Sequence, residues 1–222
     1  MAEIHSQTRV DLFVDPLCPW AWMTSRWLVE VEKSRDIDLN FRAMSLAHLN
    51  RDREMPQQYA SVLTLGWKPV RVLAAVRLEF GQPEFRKLYE SMGELLHPGG
   101  MKIEQIDEVI EEALRQSKLP ARIAASGNDT ALDTEVISEH EVAISLVGDD
   151  VGTPVISVNG TAFFGPVVTL MPFKTEDEAL VYANSTQYGL AATIWTENLS
   201  RAHRVAARVE SGVEGARRER LA

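Results

Sequence analysis

The chain has 222 residues, 45% of them hydrophobic, and a formal net charge of −9. That is enough apolar material for one domain with an inserted subdomain, and too much for wholesale disorder. The acidic balance argues against a general nucleic-acid surface or an anionic-membrane surface, no run is long enough to span a bilayer, and a single cysteine excludes an internal disulfide.

Met1 to Val10 is polar and lacks the apolar core of a secretion signal, so a cytoplasmic location is expected. Val10 to Val14 is a short apolar run ending at Asp15-Pro16, which reads as a buried strand. Cys18-Pro19-Trp20 follows, then a helical stretch through Met23, Trp27, Leu28 and Val31. Apolar residues at three- and four-residue steps give that helix one buried face, and Pro19 suits its first turn, where the missing N–H costs nothing. Ile37 to Phe41 alternates apolar and polar, as a strand with one covered face does. Strand, helix and strand in so short a span predict a parallel pair with a right-handed crossover.

The stretch from about 46 to 147 is expected to be mostly helical. Ile103, Ile106, Val109, Ile110, Ala113 and Leu114 form one amphipathic face, and Pro120 follows that helix. A structureless loop of this length would be unusual, so the block reads as a helical insertion into the sheet. The sheet resumes with Pro154 to Val158 and Thr161 to Phe164 around Asn159-Gly160, a strong hairpin signal. The whole is a mixed α/β architecture.

Cys18 is the residue with chemical promise. Only the thiolate is a good nucleophile, and an unperturbed thiol, with a pKa of about 8.5, holds little of it at neutral pH. A helix N-terminus lowers that pKa through its unpaired N–H groups and its dipole, and Cys18 stands where a strand ends and a helix begins. The bland alternative is a buried, inert cysteine. Trp20, Trp22 and Trp27 can line a groove or belong to the core, and His97, before Pro98-Gly99-Gly100, reads as a pocket base or a solvated loop histidine.

The segment Asp15-Pro-Leu-Cys-Pro-Trp-Ala-Trp22 resembles the active-site segment of the DsbA family. Val151-Gly-Thr-Pro-Val155 resembles that family's second signature. The resemblance implies a thioredoxin-like fold, a cis Pro154 and a Thr153 backbone that faces Cys18 and pairs with substrate. Cys18 to Trp27, Met44-Ser-Leu46 with Asn50, Val147 to Pro154 and Gly165-Pro166 are similar to an actinobacterial mycothiol-dependent reductase branch, whose best-known members are linked to nitro-compound reduction. That similarity covers about residues 8–168, with the helical insertion at 46–147. It implies catalysis by Cys18, a thiol- and substrate-binding site of Pro19, Trp20, Ala21, Asn50, Tyr59, Thr153 and Pro154, and no metal or tightly bound cofactor.

One departure matters. The fuller motif has a second cysteine where Ala21 stands, and no other cysteine exists to resolve Cys18. Monothiol chemistry remains: Cys18 attacks a disulfide or electrophile, and a low-molecular-weight thiol such as mycothiol resolves the adduct as cosubstrate. The alternatives are a transferase or isomerase whose thiolate positions a bound thiol, and a catalytically weak hybrid or binding protein.

From Phe164 the resemblance changes. Phe164 to Phe173, Glu176 to Ala179, Ala183-Asn184, Tyr188 to Ala192, Trp195-Thr196 and Leu199 to Ala202 are similar to a stretch of the aldehyde dehydrogenase family, in register to about Gly212. A hybrid chain follows from that: a fragment at 169–213 and a frayed terminus at 214–222. Aldehyde dehydrogenase activity is not expected, because the family's catalytic cysteine and nucleotide fold are missing and Ala162 stands where its ribose-contacting glutamate belongs. Within the tail, Thr175-x-x-Glu178 is a capping-box signature for a helix to about Asn184, Ala192 to Trp195 can add an edge strand, and Leu199, Ala202, Val205, Ala206 and Val209 give an amphipathic helix. Left uncovered, that apolar stripe invites self-association, a homodimer being the simplest form.

Overall fold

In the computed structural model, residues 7–53, 60–148, 151–165, 175–184, 192–195, 198–209 and 214–217 are described. The chain divides into two compact units, Met1–Val167 and Val168–Ala222.

The first unit is built on a four-stranded sheet ordered β2-β1-β3-β4. Strand β1 (Thr8–Val14) pairs in parallel with β2 (Ile37–Ala43), bringing Leu12 opposite Phe41. It pairs antiparallel with β3 (Val155–Val158), which turns back into β4 (Thr161–Phe164). The turn is Asn159-Gly160, with φ of 48° and 86°, both positive as a tight two-residue hairpin requires. Asn tolerates that region better than most residues, and here its side-chain oxygen also accepts the backbone N–H of Arg9 on β1 at 3.2 Å.

Strand β1 is buried on both faces, which is why its sequence is an apolar run. Val10, Leu12 and Val14 face one core together with Leu39, Phe41 and Ile156. Phe13 faces the other, with Met44, Ala143 and Val155. On the first side lie α1 (Pro19–Glu32) and the helical insertion: α2 (Leu46–Leu49), α3 (Ala60–Leu65), α4 (Trp67–Phe80), α5 (Gln82–Leu96), α6 (Ile106–Gln116) and α7 (Asp133–Val147) follow in chain order. Of these, α7 crosses to the Phe13 side. Helix α6 buries Ile106, Val109, Ile110, Ala113 and Leu114, the predicted face. Ile103 sits just before it in a 3-10 turn.

Helix α7 is fastened by charge as well as by packing. Arg42 of β2 donates two bonds to Glu139, at 2.7 and 3.0 Å, and Arg77 of α4 reaches the same carboxylate at 2.7 Å. Burial opposes the charge on Glu139, but the two guanidiniums outweigh it and hold the carboxyl below its ordinary range. Arg71 clamps Asp133, at the helix start, in the same two-pronged way.

The second unit holds α8 (Glu176–Ala183), α9 (Leu199–Ala206) and a two-stranded parallel sheet of β5 (Ala192–Trp195) and β6 (Glu214–Arg217). The Thr175 hydroxyl accepts the Glu178 N–H at 3.2 Å, the predicted cap of α8. Two expectations are corrected here. Ala192 to Trp195 adds no edge to the main sheet but pairs with β6, and that pairing makes a strand of Glu214–Arg217, which read as a frayed end.

Candidate active site

Cys18 is the N-cap of α1, with φ −87° and ψ 111°, extended backbone that lets the chain turn from strand into helix. Its carbonyl accepts the Trp22 N–H at 3.0 Å, opening the helical ladder. Its sulfur occupies the place of a capping oxygen and accepts the Ala21 N–H at 3.5 Å. Opposite, the Thr153–Pro154 peptide bond is cis, and the thiol donates to the Thr153 carbonyl at 3.3 Å. The two motifs, far apart in sequence, therefore meet at one sulfur.

The environment of that sulfur corrects one expectation. Cys18 is only 5% exposed. Burial pushes its thiol up; the contacts from Thr153 and Ala21 pull the other way, and the charge of Asp15 adds to the rise. The helix start alone does not set the thiol, because desolvation outweighs its few donors.

Behind the sulfur the cysteine loop is tightly held. Pro16 is buried, and its carbonyl bonds His97 Nε2 at 3.0 Å. The His97 ring stacks on Trp22, centroids 5.9 Å apart, and the Arg26 guanidinium lies over the Trp22 ring, 4.4 Å from its centroid. Burial lowers the His97 pKa, the Pro16 contact opposing it. His97 is thus a brace for the loop rather than a free base in solvent. Gly93 of α5 makes room for this stack, since a Cβ there would overlap the Trp22 ring.

The other predicted site residues divide. Pro19 and Trp20 are exposed beside the cysteine, Trp20 at 40%, whereas Ala21 and Pro154 are buried with it. Trp22 belongs to the core and Trp27 is exposed. Asn50 stands at the end of α2, where its side-chain N–H donates to the Leu46 carbonyl at 2.8 Å. Tyr59 lies outside the described residues.

Sequence reasoning missed Asp15 as a residue in its own right. It is fully buried, and its carboxylate accepts N–H bonds from Leu17 at 2.8 Å and from Leu46 at 2.7 Å. An acid at a strand exit usually reads as a turn residue, so the only available signal was its place three residues before the cysteine.

A second cluster lies between α2 and α7. His48, His140 and Glu141 bring ligand atoms within 4.8 Å of one another. One ring nitrogen of each histidine is engaged: the Ser45 N–H donates to His140 Nδ1 at 3.2 Å, and Arg51 reaches His48 Nε2 at 3.0 Å. A cation bound through His48 Nε2 would have to compete with the Arg51 guanidinium there.

Comparison with known proteins places this geometry. The Rv2466c-like family model, described as mycothiol-dependent nitroreductase Rv2466c, matches residues 17–195. The match runs beyond the 8–168 suggested by the motifs, past the end of the first unit. Among solved structures, a 2-hydroxychromene-2-carboxylate isomerase is similar with a TM-score of 0.54 at 11% identity, covering 71% of this chain and 89% of that one. DsbA of Xylella fastidiosa is similar with a TM-score of 0.50 at 16% identity, covering 73% and 79%. At these identities the likeness speaks for the fold, a DsbA-type thioredoxin-like one. The 2-hydroxymuconic semialdehyde dehydrogenase of Pseudomonas sp. strain CF600 is 62% identical over 50 residues, 22% of this chain and 10% of that protein. The chain thus spans about a tenth of the length of the curated relatives it matches there.

Proposed function

The chain belongs to the Rv2466c-like family of mycothiol-dependent nitroreductases, and from that premise we propose a one-cysteine redox cycle at Cys18, completed by a low-molecular-weight thiol. The chain is a thiol-dependent oxidoreductase of DsbA type. The observation that carries the finer reading is the pairing of Cys18 with the Thr153 carbonyl on one side and Ala21, not cysteine, on the other.

In the first step the Cys18 thiolate attacks one sulfur of a disulfide substrate. A Cys18–sulfur bond forms, the substrate's own S–S bond breaks, and the departing thiolate takes a proton. In the second step an external thiolate, mycothiol in this reading, attacks the substrate-derived sulfur. It takes that sulfur into a new disulfide and returns Cys18 as thiolate. One turn consumes one external thiol: half of the original disulfide leaves as a thiol, the other half leaves in a mixed disulfide with the external thiol, and Cys18 ends as it began; a second external thiol, attacking that mixed disulfide, completes the two-electron reduction. A thiol held up by burial is scarce as thiolate but, once formed, is the more nucleophilic for its higher pKa.

Trp20 and Pro19, exposed at the rim, would meet the incoming thiol, with Asn50 and Tyr59 further contributors. The Thr153 backbone would pair with the substrate. A lone reactive thiol stays free in a reducing compartment, which favours the cytoplasm as its place of work.

Incubation with oxidised mycothiol, followed by intact mass, tests the reading. The expected result is one mycothiol per chain, removed by reductant and absent in Cys18→Ser. An unmodified wild-type chain would overturn it. The transferase or isomerase alternative predicts a different outcome: bound thiol without a lasting disulfide, and turnover of an electrophile.

A further inference from the structure

Asp15 joins three pieces of chain. It ends the β1 side of the site, and its carbonyl accepts the Cys18 N–H at 3.0 Å. One carboxylate oxygen holds Leu17 in the cysteine loop, the other holds Leu46 at the first turn of α2, at 2.8 and 2.7 Å. Among the described residues this carboxylate meets no cation, although it is fully buried. A purely mechanical staple does not need a charge, and burying one without a counter-ion is costly. The charge stands in the same turn as the Cys18 thiol, since the Asp15 carbonyl accepts the Cys18 N–H.

We propose that Asp15 is a positioning residue for the reaction at Cys18: its carboxylate ties the cysteine loop to the β2–α2 turn, and its charge sets how readily the thiol ionises. This rests on reading Cys18 as the nucleophile. The groups facing Asp15 are few. They are Cys18 from α1, the buried Tyr89 phenol from α5 with Arg26 beyond it, His97 through Pro16, Thr153 across the sulfur, and His140 of α7 through the Ser45 N–H. Burial raises the Asp15 carboxyl to about 6, against the two N–H bonds that lower it. Asp15 therefore changes charge well below the range in which the raised thiol ionises, where the small thiolate fraction still follows the charge beside it, and the two titrations are coupled. His97, whose pKa burial lowers, braces the same loop and must be separated from it.

Because the chain has one cysteine, iodoacetamide alkylation reads Cys18 alone. Its rate should be followed from about pH 4.5 to 10 in the full chain. With Asp15 protonated the thiolate forms more easily, so the logarithm of the rate should climb, flatten in part near pH 6 and climb again at full slope. Asp15→Asn should remove the flattening, leave one ionisation at lower pH, and raise the thiolate fraction at pH 7 by at least about threefold, half a pH unit. His97→Asn should keep the flattening. A single climb in the wild type overturns the proposal, as does a flattening that survives Asp15→Asn or disappears in His97→Asn. Should Asp15→Asn fail to fold, the wild-type and His97→Asn profiles decide between the same outcomes. A single climb in a chain that still forms the mycothiol adduct removes Asp15 and leaves the redox cycle intact. The coupled profile in a chain that forms no adduct removes the cycle instead.

Discussion

Among the described residues, the two units of this chain show different contacts. Met1–Val167 closes around a dry core on both faces of its sheet, with Leu12, Phe13, Phe41, Phe85 and Met92 fully buried. In Val168–Ala222 the described side-chain contacts include charge pairs at the surface, beside the backbone ladder of β5 and β6. Glu176 binds Arg201 at 2.8 Å and Arg204 at 2.6 Å, Asp177 binds Arg208, and Leu180 and Ala202 are its buried apolar residues among those described. The contrast is informative because apolar burial is strong and exposed ion pairs are weak. Holding a sulfur against a carbonyl 135 residues away needs the first kind of structure.

Substitutions can break that contrast in order of expected effect. Phe41→Ala should cost most. Its ring packs on Tyr89, centroids 5.5 Å apart, and lies under the Arg86 guanidinium at 5.2 Å. Emptying that place should remove about 3–5 kcal/mol from the first unit, read by urea denaturation with tryptophan fluorescence. A loss below about 1 kcal/mol would mean that the core is less decisive than its burial says.

Gly93→Ala comes next and sets two rules against each other. Helix propensity favours alanine by about 1 kcal/mol. The added methyl, however, overlaps the buried Trp22 ring that supports the cysteine loop. We expect overpacking to win, with a net loss of about 1–3 kcal/mol and an altered Cys18 alkylation rate. A rise in Tm would show that the stack has room to move.

Glu176→Gln should have the smallest effect. Hydrogen bonds from Arg204 and Arg201 hold this carboxyl down at about 2. Its loss should speed amide exchange across α8 and α9, with no change in the unfolding midpoint of the first unit or in Cys18 reactivity. A change at Cys18 would show that the second unit supports the site.

Much of the first unit was legible in its sequence because its signals are local. Pro19 marked the start of α1, Asn159-Gly160 marked the hairpin, and the period of Ile106 to Leu114 marked α6 and its buried face. Cys18 and Thr153 could be joined only through the family's paired motifs, since nothing local says that they meet. The thiol's environment was not legible. A helix start argues for a low pKa, but the burial that outweighs it comes from Thr153, Trp22 and the rest of the folded core. Asp15 was hidden for the same reason, as its partner Leu46 lies beyond β2. In the second unit, the cap of α8 and the amphipathic pattern of α9 were readable, but β5 found its partner in a segment with no strand pattern of its own.

The central claim is that Cys18, with Ala21 beside it, borrows its second thiol. The direct measurement is the decay of the purified Cys18–mycothiol adduct as free mycothiol is varied. The account predicts a rate proportional to thiol concentration and negligible without it, with Ala21→Cys adding a decay that needs no external thiol. A wild-type decay indifferent to thiol concentration would contradict it.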